Sequence, residues 1–307
     1  LKMKKKLVSI IIRTHNEEKW ISSCLNAVFE QDYKNFEIII VDNESVDNTI
    51  KIVKTYNIQK ILKIKKYFPG KALNLGINNA KGSIIVCLSG HCIPKNSKWL
   101  SYLVNGLKSS KVAGVYGKQE PLSFSSPIDK RDLLLTFGLD KKVQTKDSFF
   151  HNASSAIKKD LWKKFKFDEK VTNIEDRIWG NRVIKDGYKL IYEPKSVVFH
   201  YHGIHHNLNK ERAQNIINII ENIEKVKEID FKKPLNKQKI CCIIPAKGEP
   251  IKYKNNYLIE HTFKSVKECE FIDQIFLSTD SKITKKIGNE YGISIPFTRP
   301  DYLSKDF

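Results

Sequence analysis

A chain of 307 residues is long enough for one large α/β domain and part of a second. Its 41% apolar and 10% aromatic content excludes a largely disordered protein, and no apolar run is long enough to cross a bilayer. The net charge of +20 comes from lysines scattered through every segment, with no Arg-rich stripe, so no nucleic-acid partner is expected. A solvated basic surface accounts for the charge; peripheral contact with an anionic membrane surface or a phosphorylated acceptor is the alternative. The basic start at residues 1–6 is too short for a complete signal peptide, and the absence of an initiating Met suggests a fragment at this end. The expected location is cytoplasmic, at most at the inner face of the membrane. Six cysteines without paired metal-ligand spacing read as reduced, buried thiols. Cys87 and Cys92 flank His91 without a second cluster, a weak zinc case.

Strands and helices alternate from the start. Residues 7–12 form a continuous β-branched run, read as a buried parallel strand, and a polar turn at 13–17 leads into a helix over 18–30. A second buried strand covers 36–41, the polar run at 42–48 breaks it, and a helix continues to 56. A short strand near 61–64, a helix over 70–80 and a buried strand over 83–88 follow. This order implies right-handed βαβ crossovers and a parallel sheet, whose ligands bind beyond the carboxyl ends of its strands. The polar clusters at 13–17, 42–48 and 89–92 all follow strands and should converge there. Beyond residue 112 the pattern predicts strands over 112–116, 149–157, 190–192 and 197–201, and helices over 127–137, 174–185 and 209–228. The stretch 232–239, with Pro234, reads as a linker. A new strand over 240–244, a polar turn, a helix over 258–267 and a strand over 274–278 begin a second α/β domain that stops too early to be complete. The expected division is 1–208, a helix and linker over 209–238, and 239–307.

Short polar side chains at adjacent strand ends can hydrogen-bond a base and ribose: Thr14, Asn16 and Glu17 after one strand, Asp42, Asn43 and Ser45 after the next. Taken singly, each cluster serves equally well as a turn or helix cap. The segment from Val8 to Thr49, the run Lys71-Ala72-Leu73-Asn74-Leu75-Gly76, and Glu175-Asp176-Arg177-Ile178-Trp179 occur in an order that resembles family-2 glycosyltransferases, inverting enzymes of the GT-A fold, over residues 7–203. The resemblance implies a Rossmann-like, mostly parallel sheet with flanking helices. It implies a nucleotide-sugar donor and a glycan or lipid-linked hydroxyl acceptor, in surface polysaccharide or glycan synthesis. Asp42 would contact the base, while Thr14, Asn16, Glu17, Asn43, Ser45, Lys71 and Ser89 would complete the nucleotide-sugar site. Asp176 would be the general base and Glu175 a positioning residue; two acids opening a helix also suit the helix dipole. Gln119, His151, Asn152 and Trp179 would shape the donor and acceptor pockets.

One departure stands out. Where the family holds Mn²⁺ or Mg²⁺ with an Asp-x-Asp pair, this chain reads Ser89-Gly90-His91. Three alternatives follow: His91 ligates the cation with His200 or His202, Lys or Arg stabilises the leaving group without a metal, or the domain is an inactive nucleotide-sugar binding relative. His200 and His202, with His205 and His206 behind them, form either part of the site or a surface cluster. Residues 243–248, 275–280 and 296–300 resemble the start of the CMP-sugar (acylneuraminate) cytidylyltransferases. There Lys247, Gly248 and Lys254 would belong to a nucleotide-cradling loop. Glu249-Pro250 intrudes in that loop, and the portion present is not expected to activate a sugar. A complete domain of that kind is the rival source of activity.

Overall fold

The computed structural model describes residues 6–203, 210–224 and 239–300. These belong to two compact units, Leu1–Val226 and Lys227–Phe307. His205, His206, the helix expected beyond 224 and the linker at 232–238 lie outside the described residues.

The first unit opens with β1 (Val8–Thr14), α1 (Ile21–Phe29), β2 (Phe36–Asp42), α2 (Thr49–Val53), β3 (Lys60–Lys63), α3 (Pro69–Asn78) and β4 (Ile84–Ser89). It continues through β5 (Ile93–Pro94), α4 (Trp99–Gly106), β6 (Val112–Pro121), α5 (Pro127–Thr136), β7 (Lys142–Gln144) and β8 (Ser154–Lys158). It ends with α6 (Lys159–Lys164), α7 (Glu175–Lys185), β9 (Lys189–His200) and α8 (Lys210–Glu224). The strands lie in the order β3-β2-β1-β4-β8-β6-β9-β5, with β7 also paired to β9. β3, β2, β1 and β4 are parallel neighbours, as are β6 and β9, while β5, β7 and β8 join antiparallel. The result is a mostly parallel mixed sheet with helices on both faces.

The β-branched runs are continuous because both faces of the sheet are covered. Ile10, Ile12, Ile38, Ile40 and Val86 pack with α1 and α4 on one side. Ile11, Ile39, Val41, Ile85 and Cys87 pack on the other with Ala72, Leu73 and Ile77 of α3 and Trp179 of α7. Helix α3 approaches the sheet at Gly76, where an added Cβ would collide with Ile11 Cγ2 and sit 3.0 Å from Val41 Cγ2.

Several elements differ from the periodicity. The strand expected over 149–157 begins only at Ser154, because residues 149–153 turn into the site. The two short strands expected over 190–201 are one strand, β9. Its pairing with β6 skips from Glu193 to Val197, so Pro194 sits in an irregularity where its missing N–H breaks no ladder bond. Helix α4, built around the fully buried Trp99, and the two-residue β5 have no counterpart in the periodic pattern.

The second unit contains β10 (Cys241–Ala246), the hairpin β11 (Lys252–Tyr253) and β12 (Asn256–Tyr257), α9 (Leu258–Lys267), β13 (Gln274–Thr279) and α10 (Lys282–Glu290). β10 and β13 pair in parallel, and Ile244, Phe263, Leu277, Ile287 and Ile293 form a small core.

Gly76→Ala tests the contact between α3 and the sheet. At an exposed helical position the change would stabilise by about 1 kcal/mol. Here overpacking should outweigh that gain and leave a net loss of about 1–2 kcal/mol in urea unfolding. A net gain would show that α3 does not press on β1 and β2 as described.

Candidate active site

Strand register brings the polar turns together. Thr14 lies opposite Asp42 in the β1–β2 pair, and Arg13 opposite Ser89 in the β1–β4 pair. The buried Asp42 carboxylate accepts from Thr14 Oγ1 (3.0 Å), from the Ser45 N–H (3.0 Å) and from Ser45 Oγ (2.5 Å). Asn16, at φ 53°, uses the left-handed region that short polar side chains tolerate. Its N–H donates to Ser45 Oγ (2.9 Å) and its Oδ1 accepts from the Val46 N–H (2.9 Å). The Glu17 N–H donates to Thr49 Oγ1 (2.6 Å), while its carboxylate pairs with His91 Nδ1 at 2.6 Å. Gly90 fits this junction because a Cβ there would meet Thr14 Cγ2 at 3.0 Å and Glu17 Cγ at 3.2 Å.

A cavity of about 580 Å³ opens at this edge of the sheet. Thr14, Glu17, Asn43, Ser89 and His91 line it from the strand ends, and Glu175, Asp176 and His151 from across it. Helix α7 starts at Glu175 directly after Ile174, a β-branched residue held at φ 52°. That strained conformation aims the two acids at the cavity. Asn152 ties them together: its N–H donates to Asp176 Oδ2 (3.0 Å) and its Nδ2 to Glu175 Oε1 (3.2 Å). Arg13 Nη1 lies 3.4 Å from Glu175 Oε1, and the Arg177 N–H donates to Asp176 Oδ1 (2.8 Å). Burial pushes the Glu175 carboxyl above its ordinary range, with the neighbouring Asp176 charge adding to the effect. Burial also raises Asp176, against the opposing pull of the Asn152 and Arg177 N–H groups and the Arg13 charge.

His91, His200 and His202 come together beside the acids, although they are far apart in sequence. Ring centroids are 5.0 Å apart for His91 and His200, 5.0 Å for His91 and His202, and 4.1 Å for His200 and His202. Burial pulls the pKa of His202 down to about 4, so its imidazole is neutral at neutral pH. His151 is likewise lowered to about 4 by burial and bonds Gln119 Nε2 through its Nδ1 at 3.0 Å.

Other expected residues stand back from the cavity. Asn16, Asp42 and Ser45 are not in the cavity wall: Asp42 is buried beside Thr14, Ser45 is half-buried and Asn16 is exposed, while Gln119 and Asn152 are buried behind His151 and the acids. Lys71 is exposed on α3 and is not part of the wall. Trp179, expected to shape a pocket, is fully buried in the core against Phe150 and Phe167, and its Nε1 donates to Phe165 O (2.8 Å). Sequence reasoning missed Arg13, Arg177 and Arg212, all of which line the cavity. Arg212 heads a stripe of α8 whose next two members, Ile216 and Ile220, also face the cavity. Its spacing of four from an apolar series was the available signal. In the second unit the Gly248 N–H donates to Asp280 Oδ1 (2.8 Å), and Lys247 and Lys254 are exposed.

Residues 9–166 match the profile of "Glycosyl transferase family 2", and residues 251–306 match "Cytidylyltransferase". A Methanococcus voltae protein, dolichyl N-acetyl-alpha-D-glucosaminyl phosphate 3-beta-D-2,3-diacetamido-2,3-dideoxy-beta-D-glucuronosyltransferase, is 29% identical over 220 residues. The match covers 63% of this chain and 66% of that protein. Among solved structures, the mannosyltransferase PcManGT from Pyrobaculum calidifontis, in complex with GDP-Man and Mn²⁺, superposes with a TM-score of 0.57 at 22% identity. That superposition covers 74% of this chain and 66% of the other. Staphylococcus aureus TarS 1–349 with UDP-GlcNAc gives a TM-score of 0.57 at 17% identity, covering 73% of this chain and 68% of that one. These likenesses show the GT-A fold, and the matched profile spans more than half of the chain. By that match and the fold that carries it, this chain belongs to glycosyl transferase family 2.

Proposed function

We propose that the first unit transfers a sugar, with inversion, from a nucleotide-sugar donor to a hydroxyl of a glycan or lipid-linked acceptor. The observation that carries the proposal is the placement of Glu175 and Asp176 in the wall of the same cavity that receives the ends of β1 and β4. In this reading the nucleoside lies over Thr14 and Asn43, with Asp42 holding Thr14 from behind and Ser45 and Asn16 bracing the edge of that floor. Ser89 and His91 face the diphosphate.

The acceptor hydroxyl attacks the anomeric carbon as Asp176 removes its proton, and the bond from that carbon to the diphosphate oxygen breaks. Glu175, held by Arg13 and Asn152, positions Asp176 and keeps its surroundings negative. The raised pKa of the pair brings the base closer to the pH at which it works. A divalent cation, where bound, would help neutralise the departing nucleoside diphosphate. The imidazoles of His91, His200 and His202 are a poor match for Mg²⁺ or Mn²⁺, which favour oxygen ligands. Arg177 and Arg212, both on the cavity wall, therefore carry the protein's own share of leaving-group stabilisation. His151 borders the acceptor side, with Gln119 bonded to it from behind. The match at 251–306, which includes Lys254 and begins just after Lys247 and Gly248, favours a second reading for the second unit, nucleotide binding, with activation confined to a complete domain of that type.

Transfer is measured by incubating the chain with UDP-, GDP- and dTDP-sugars and candidate acceptors. Asp176→Asn should lower the transfer rate at least about 100-fold while donor affinity stays nearly unchanged. Undiminished transfer in Asp176→Asn would remove it as the base. Donor binding without transfer to any acceptor would favour a binding module.

Stability offers a separate check on the acids. A carboxyl whose folded pKa lies above its unfolded value contributes stability below the unfolded pKa, and that contribution is lost as pH rises through the folded pKa. Asp176→Asn should therefore raise the melting temperature at neutral pH and have little effect in acid, where the native pair is protonated. A lower melting temperature at neutral pH would show that the pair is net stabilising when ionised.

A further inference from the structure

The turn that replaces the family's metal-binding carboxylates has a donor chemistry of its own. Antiparallel pairing of β5 with β9 sets Ile93 opposite Phe199. Cys92 directly precedes Ile93 and His200 directly follows Phe199, so the end of that ladder brings the two residues near each other. Three backbone bonds hold the turn: Ser89 N–H to Ala153 O (3.1 Å), Gly90 N–H to Arg13 O (2.9 Å) and Cys92 N–H to Ser89 O (2.9 Å). One ligand atom from each of His91, Cys92 and His200 lies within 4.8 Å of the others. The His91 and His200 rings stack at 5.0 Å with an interplanar angle of 13°. Glu17 Oε1 sits 2.6 Å from His91 Nδ1, the carboxylate–histidine arrangement that orients a coordinating imidazole and directs its Nε2 toward a metal.

We propose that His91, Cys92 and His200 form a site for a thiolate- and imidazole-favouring divalent cation of the Zn²⁺ or Co²⁺ class, with Glu17 as the orienting carboxylate. The inference rests on the transfer reading only for its position beside the diphosphate; the donor set stands without it. Oxygen ligands select Mg²⁺ and Mn²⁺, whereas imidazole and thiolate select Zn²⁺ and its neighbours. Binding releases the Cys92 thiol proton, because the thiolate is the ligand. The thiolate and the Glu17 carboxylate then supply two negative charges, the same number as the Asp-x-Asp pair that is missing. The 4.8 Å limit on ligand-atom separation is about 1 Å wider than tetrahedral ligands at about 2.0–2.3 Å from Zn²⁺ require.

Co²⁺ is the direct probe, because it reports thiolate ligation through a near-ultraviolet charge-transfer band. The metal-stripped full chain should bind Co²⁺ at one high-affinity site with that band. Zn²⁺ should displace it, and Mn²⁺ or Mg²⁺ at the same excess should not. Cys92→Ala and His91→Ala, checked for folding by circular dichroism, should each lose the band. Because Cys92 is also a core residue, Glu17→Gln gives an independent arm: the band persists and affinity falls about 10-fold or more. A band that survives in folded Cys92→Ala would overturn the site, as would displacement by Mn²⁺ as effective as by Zn²⁺. Unchanged affinity in Glu17→Gln would remove Glu17 from it. None of these readings depends on turnover, so absence of sugar transfer would overturn the proposed reaction and leave the metal result standing.

Discussion

Two adjacent carboxyls, Glu175 and Asp176, are packed into a cavity wall, and much of the first unit is arranged around that constraint. Neighbouring buried acids repel each other and lose hydration, so each needs partners that water would otherwise provide. Asn152 gives one donor to each acid, Arg13 adds a cation to Glu175, and the Arg177 N–H completes Asp176. To bring Asn152 into reach, the chain ahead of β8 must turn, which shortens that strand to Ser154–Lys158. To present both acids at once, α7 must begin abruptly, which leaves Ile174 at φ 52°. The local strain and the pKa shifts thus share one cause, the gathering of charge at a site where it is costly to hold.

The other side of the cavity depends on β1. As the strand between β2 and β4, it sets the register that places Thr14 beside Asp42 and Arg13 beside Ser89. That same register connects the Thr14 end of the cavity to the acid end, since Arg13 reaches from β1 to Glu175. Glu17, one turn further on, reaches His91. A single strand end therefore touches Asp42, His91 and the acids, the three regions to which the proposed reaction assigns the base, the diphosphate and the acceptor proton. The chemistry proposed for this site needs those three regions within one sugar's reach, and the strand register supplies that spacing.

The sequence made the parallel half of the sheet legible because burial on both faces leaves unbroken β-branched runs, as in Ile10-Ile11-Ile12 and Ile38-Ile39-Ile40. The polar strand ends were equally readable, since a turn beyond such a strand has one place to go. Elements that depend on partners were not. β5 has two residues and exists only because β9 pairs with it, and Pro194 hides the continuity of β9 by interrupting the alternation. Trp179 reads as a pocket residue beside two acids, yet one turn along α7 it is covered by Phe150 and Phe167 in the core. Cys92 and His200 are 108 residues apart in sequence (200 minus 92), and the antiparallel ladder that ends beside them brings them together. The pairing of Arg212 with the acid cavity required the docked position of α8.

The central claim is a single displacement in which one carboxylate removes the acceptor proton while the diphosphate leaves from the opposite face. The stereochemistry of the first-formed product tests it most directly. Proton NMR of the product from a donor of known anomeric configuration should show the opposite configuration at the transferred carbon. Retention of configuration would contradict the account, because it would require a different chemical course from the one this pair of acids is proposed to support.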